Sequence, residues 1–258
     1  MGQHGKHGAL VKEVSISRTL TGSAIAGLSA ILALLWATAA VAQSQCRLAL
    51  VLALDVSASV DVEEYDLQRL GLAAALDAPD VRGAILRGQG GPVALAVFEW
   101  SGRFQQRIHM DWTVLDSHAE IDRAVLALGN ITRSFEGFPT SVGEALGYAA
   151  SLLKRGPQCD RRVIDMSGDG INNYGYAPKF AYRHFPLQDV QVNGLVVLGD
   201  DREVEAFYRR EVVHGPGAFV ELSDGFDGFR AAMTRKLFRE INDLVLGARA
   251  APRPSPHG

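Results

Sequence analysis

Five side chains in this sequence have the types and order of a hard-cation site. Asp55, Ser57 and Ser59 alternate in Asp55-Val56-Ser57-Ala58-Ser59, so one carboxylate and two hydroxyls can face one side of the same segment. Thr140, in Phe138-Pro139-Thr140-Ser141, supplies a further hydroxyl at a helix start. Asp169, in Ser167-Gly168-Asp169-Gly170, supplies a second carboxylate where an apolar run stops. Oxygen donors of this kind suit Mg²⁺, or Mn²⁺ or Ca²⁺, better than zinc or copper, and Mg²⁺ keeps some of its water. With only two charged ligands the ion stays electrophilic and retains an open position. Asp165 lies in the same apolar run and on the same alternation face as Asp169. Asp169 is preferred as the ligand because it precedes Gly170 at the end of the run, and Asp165 reads as a paired structural carboxylate. Helix capping alone explains Ser57, Ser59 and Thr140 one at a time, but not their ordered company with Asp169.

Other chemistries find little support. The 7 histidines are scattered without metal spacing, and His109, His118, His184 and His214 read as surface or edge residues. Asp224-Gly225-Phe226-Asp227 lacks the remaining ligands of a calcium loop and reads as a turn leading into a helix. No GxSxG elbow, Walker loop or GxGxxG follows a strand, so neither a catalytic nucleophile and base nor a nucleotide site is evident, and no catalytic residue is assigned. A net charge of -3, without a basic tract, argues against a nucleic-acid partner. With 47% hydrophobic and 21% charged residues the chain has the makings of a buried core. Its 2 cysteines allow one bridge or a pair of thiols.

The elements that must position these groups alternate along the chain. Residues 1–42 form an export address: Lys6, Lys12 and Arg18 against Glu13, then an uncharged run from Thr19 to Ala42 that ends in Ala40-Val41-Ala42. Cleavage is expected after Ala42, giving a periplasmic or secreted chain; an uncleaved segment would serve as a membrane anchor. Strands are expected at Arg47 to Val56, Pro92 to Trp100, Gln105 to Met110, Arg162 to Ser167, Val190 to Leu198 and Ala218 to Glu221. Helices are expected after the Asp61/Glu64 capping pair and at Ser117 to Leu128, Ser141 to Leu153, Ala177 to Phe185, Asp201 to Arg210 and Phe226 to Leu246. The short link Ser101-Gly102-Arg103 marks one hairpin in an otherwise parallel sheet. Such alternation describes a three-layer α/β domain over residues 43–246, with helices on both faces and ligands gathering at the carboxyl ends of the strands. Residues 247–258 have no periodicity and are expected to be disordered.

Taken in order, Asp55, Ser57, Ser59, Thr140 and Asp169 resemble the metal-ion-dependent adhesion site of the von Willebrand factor A family. The resemblance spans roughly Cys46 to Leu246, and the segments Val192 to Val197 and Gly215 to Val220 are similar to an exported bacterial branch of uncharacterised function. It implies the family's Rossmann-like fold, mostly parallel with one antiparallel edge strand. It also implies a divalent ion whose sixth ligand is an Asp or Glu carboxylate of a protein partner. A metal-dependent protein-binding module is therefore the leading expectation, ahead of a metal-assisted hydrolase or an envelope assembly protein with a vestigial site. Trp100 and Phe138, in loops that should frame the metal, are expected to help read the partner, the alternative being that they fill the core beneath the loops. Each cysteine lies one strand length before a proposed ligand. If those strands are parallel neighbours, as the resemblance implies, Cys46 and Cys159 meet in a disulfide.

Overall fold

The computed structural model describes residues 46–199 and 203–242. The expected signal peptide, the tail and the end of the last helix lie outside the described residues. The core is a six-stranded sheet of β1 (Cys46–Asp55), β2 (Val93–Trp100), β3 (Gln106–Leu115), β4 (Cys159–Gly168), β5 (Gln191–Leu198) and β6 (Val220–Asp224), in the order β3-β2-β1-β4-β5-β6. Every pairing is parallel except β2 with β3, the antiparallel edge. This is the expected three-layer α/β architecture.

β1 is buried along its whole length because both of its faces are covered. Leu48, Leu50, Leu52 and Leu54 face one core, formed with α1 (Val62–Asp77), α2 (Pro79–Arg87), α3 (His118–Gly129) and a C-terminal helix, Phe229–Asn242. Ala49, Val51 and Ala53 face the other, formed with α4 (Val142–Arg155), α5 (Pro178–His184) and α6 (Glu203–Phe207), which passes into a π-helical turn at Tyr208–Val212. The Phe229–Asn242 helix is α7. Among the described residues no helix is long and apolar enough to cross a membrane.

Two local departures from expectation have physical causes. α2 was not anticipated: it is only nine residues long and opens with Pro79 in its first turn, where the missing N–H costs nothing. β3 continues past Met110 to Leu115, because register shifts opposite Leu95, Val97 and Phe98 change which residues face inward and blur the alternation. α1 starts as its capping pair predicts: Glu64 N–H donates to Asp61 Oδ1 at 2.8 Å and Asp61 N–H to Glu64 Oε2 at 2.9 Å.

Two tertiary ties hold the sheet to its surroundings. Cys46 and Cys159 are register partners at the starts of β1 and β4 and form a disulfide, with Cα atoms 4.7 Å apart. Lys236 of α7 is fully buried, and its Nζ lies 2.7 Å from Asp165 Oδ2 of β4 and also contacts Glu240 Oε1. Asn193 Nδ2 of β5 donates to the same Glu240 oxygen at 2.7 Å. Burial pushes the Asp165 carboxyl up to about 7, with Lys236 opposing and Glu240 reinforcing the shift. Asp165 is thus the anchor of α7, paired as expected.

Candidate metal site

β1 and β4 are parallel neighbours, so their carboxyl ends deliver Asp55 and the residues after Gly168 to one edge of the sheet. Beyond β1 the chain turns over Ser57 and Ser59 before α1. Ser57 N–H donates to Asp55 Oδ1 at 2.8 Å, which folds the loop back on its own carboxylate. Thr140, 4% exposed, reaches this loop from the start of α4, and its Oγ1 donates to Ser57 Oγ at 3.1 Å. The Ser57 and Ser59 hydroxyls are 3.2 Å apart, and Ser59 Oγ donates to Asp169 Oδ1 at 2.8 Å. The structure thereby links Thr140, Ser57, Ser59 and Asp169 through one run of side-chain oxygens, with Asp55 joined to it by the Ser57 N–H.

The loops around this run are tied together by backbone groups. Ala58 N–H donates to Phe138 O at 2.8 Å and Ser141 N–H to Ser101 O at 2.8 Å. Asn173 Oδ1 accepts from Thr140 N at 2.9 Å, and Asn172 Oδ1 from Gly143 N at 3.1 Å. Gln68 of α1 donates to Asp55 O at 2.9 Å, while Arg133 donates to Val56 O and Ser57 O, each at 3.0 Å. Of these supports only Asn172 and Asn173 carried a sequence signal, as an amide pair just after Asp169-Gly170. Gln68 and Arg133 sit in segments that nothing local connects to the site.

The electrostatics are those of a site short of positive charge. Asp55 is 1% exposed, and its Oδ2 has no hydrogen-bond partner among the described residues. Burial, reinforced by repulsion from Asp169, pushes its carboxyl up to about 8. Burial also raises Asp169, against the hydrogen bond from Ser59. Two carboxylates that destabilise each other, one with an orphaned oxygen, alongside three hydroxyls with free lone pairs, fit a hard divalent cation. Among the described residues no group of three or more His, Cys, Asp or Glu side chains gathers as a metal cage. A cation here would depend on hydroxyls for half or more of its protein ligands. Beside the carboxylates opens a groove of about 460 Å³, lined in part by Ser59, Glu64, Asp169, Leu198 and Phe226.

The rim differs from expectation at one residue. Trp100 is fully buried: strand alternation sends it with Phe98 into the core shared with α4, beneath the loops, so it is not a rim residue. Phe138 is 38% exposed, and the segments bonded to its loop through Ser101 O and Tyr174 N carry Phe104, 78% exposed in the β2–β3 turn, and Tyr174, 53% exposed after β4. His109 is also no plain edge residue. Its Nε2 lies 2.9 Å from the buried Glu99 Oε2, which accepts from Ser134 N at 2.9 Å, while Tyr65 donates to Glu99 Oε1 at 2.5 Å. Burial alone would raise the Glu99 carboxyl, but the bonds from His109 and Tyr65 hold it below the usual range. The network clasps the loop that leads to Thr140.

Solved structures with the same fold come from distant proteins. Proximal thread matrix protein 1 of the mussel byssus, in a form with a zinc-occupied adhesion-site motif, is 15% identical over 77% of this chain and 47% of its own, with a TM-score of 0.56. The pilus adhesin SpaC of Lactobacillus rhamnosus GG is 14% identical over 78% of this chain and 31% of its own, at 0.55. A von Willebrand factor type A protein of Catenulispora acidiphila is 16% identical over 76% and 42%, at 0.52. The fold is that of the von Willebrand factor A domain. This chain spans less than half the length of each of these proteins. No curated protein matches it in sequence. A family model described as a protein of unknown function, DUF1194, matches residues 45–245.

Proposed function

From the premise that this chain belongs to the DUF1194 family, on a von Willebrand factor A fold, we propose that it is an exported, metal-dependent protein-binding module. The observation that carries this reading is the convergence of Ser57, Ser59 and Thr140 hydroxyls with Asp55 and Asp169, the orphaned Asp55 Oδ2 among them. These residues would hold a Mg²⁺, Mn²⁺ or Ca²⁺ ion. Bound there, the ion supplies a Lewis-acidic position that an Asp or Glu carboxylate of a partner protein can occupy.

The protein's own residues would shape the rest of the encounter. Phe104, Phe138 and Tyr174 present apolar surface on loops that hydrogen-bond to one another around Thr140, and exposed aromatics so grouped are typical interface anchors. Arg103 stands over the Phe104 ring, 5.1 Å from its centroid, with its Nε 3.5 Å from Glu144 Oε1, so its charge is already shared with a carboxylate. Residues 1–42 would act as the signal peptide, cleaved after Ala42, leaving residues 43–246 as the binding domain. The Cys46–Cys159 disulfide supports an oxidising compartment such as the periplasm. Which partner is captured reduces to one experiment: capture from envelope extract on immobilised protein, in Mg²⁺ against chelator. A partner retained only with the ion supports the module. Retention that ignores both the chelator and an Asp169→Asn change would contradict it.

A further inference from the structure

A second buried oxygen faces the same gap as Asp55 Oδ2, and it belongs to a residue far away in sequence. Tyr208 opens the π-helical turn after α6 and is fully buried. Its ring lies across β5 at Gly194, where an added Cβ would come within 2.7 Å of ring Cδ1. Its hydroxyl reaches β4 at Gly168, where an added Cβ would sit 2.5 Å from Tyr208 Oη and 2.8 Å from Asp55 Oδ2. The two oxygens therefore border one small space that exists because residue 168 has no side chain. Neither has a hydrogen-bond partner among the described residues.

Two orphaned polar atoms at one buried point are unusual, since each unmade bond costs about 1–3 kcal/mol. They are also complementary: a phenol O–H is a donor and a carboxylate oxygen an acceptor. A phenol has an ordinary value near 10, so at neutral pH it keeps its proton and stays a donor. The π-helical turn explains how the ring reaches so far in. An extra residue in the turn redirects a side chain, and such turns concentrate at functional sites. Gly168 and Gly194 each clear one part of the path.

We infer that Tyr208 is a positioning residue of the metal site: its O–H donates to Asp55 Oδ2, directly or across one buried water in the space beside Gly168. With Ser57 N–H on Oδ1, this would fix the Asp55 carboxylate at both oxygens. The inference rests on the reading of Asp55 as a metal ligand. It adds that the ligand is oriented from beneath by a residue of the π-helical turn, as outer donors orient ligands in other metal sites.

The test uses Mn²⁺ as the probe, with calorimetric titration and the electron paramagnetic resonance spectrum of the bound ion, on the wild-type protein and Tyr208→Phe. The variant keeps the ring over Gly194, so its melting temperature in chelator should not fall. Its Mn²⁺ affinity should drop about tenfold, and its bound-ion spectrum should broaden or shift. Gly194→Ala, which displaces the ring without touching any proposed ligand, should weaken Mn²⁺ in the same direction. Wild-type binding matched within twofold by a folded Tyr208→Phe protein overturns the positioning role and leaves the metal reading standing. A wild-type protein that takes up no divalent ion overturns both. A loss of melting temperature in Tyr208→Phe with Mn²⁺ affinity intact also overturns the inference, since it marks the phenol as structural only.

Discussion

Replacing Asp55 with Asn should make the metal-free protein more stable at neutral pH, even as it destroys the proposed site. The amide keeps the shape of the carboxyl and an acceptor for Ser57 N–H, but removes the charge that burial and Asp169 oppose. In the folded chain Asp55 is pushed up to about 8 from 3.8. A carboxyl with a raised folded value binds its proton more tightly in the folded state than in the unfolded one. Its stabilising contribution is complete below about pH 4 and is lost as pH rises through the window to about 8. At about 1.4 kcal/mol per pH unit, the loss by pH 7 has an upper value of about 4 kcal/mol. For a domain of this size each kcal/mol moves the melting temperature by about 2–4 °C. Thermal unfolding in chelator, followed by circular dichroism from pH 4.5 to 8, should show wild-type stability falling with pH and Asp55→Asn falling less. The order should reverse when a divalent ion is added, because only the wild-type protein gains binding energy. An Asp55→Asn protein with the wild-type pH slope, or one less stable than wild type in chelator at pH 7, would refute the reasoning.

Removing both cysteines, Cys46→Ala with Cys159→Ala, frees a span of 113 residues and should cost at most about 4–5 kcal/mol by the chain-entropy model; chemical denaturation against the oxidised wild type checks it, and an unchanged midpoint contradicts it. Lys236→Met leaves Asp165 and Glu240 buried without their cation and should cost about 3–5 kcal/mol, read from the urea midpoint, with no loss if the pair is dispensable. Phe104→Ala combined with Phe138→Ala should leave the melting temperature within a degree or two, since surface changes cost little, yet weaken capture of any Mg²⁺-dependent partner; full retention would remove the aromatic rim from the account.

The sequence made the strand ends and the oxygen ligands legible because both are local signals. The apolar run RLALVLALDV and the shorter one in RRVIDMSG have the length and composition of strands covered by helices, and the ligands follow them within a few residues. The Cys46–Cys159 pairing follows from the same placement only with the strand adjacency that the family resemblance implies. What failed depended on distance, depth or phase. Trp100 ends β2, a strand buried on both faces, so the end of the apolar run marks where the site lies but not how deep its last side chain sits. Gln68, Arg133 and Tyr208 reach the site through tertiary packing from α1, a loop and the π-helical turn, and no spacing relates them to Asp55. Glu99 and His109 looked unrelated because the register pairs Glu99 with Arg107, and His109 sits at the shift between the Val97–Met110 and Phe98–Ile108 pairs, from which its side chain reaches Glu99.

On the proposed reading, Asp55, Ser57, Ser59, Thr140 and Asp169 hold one divalent cation. Calorimetric titration of chelator-stripped protein with Mn²⁺, alongside folded Thr140→Ala and Asp169→Asn variants, tests it most directly. A single site is expected in the wild-type protein, weakened in Thr140→Ala and abolished in Asp169→Asn. Equal Mn²⁺ affinity in all three proteins would contradict it.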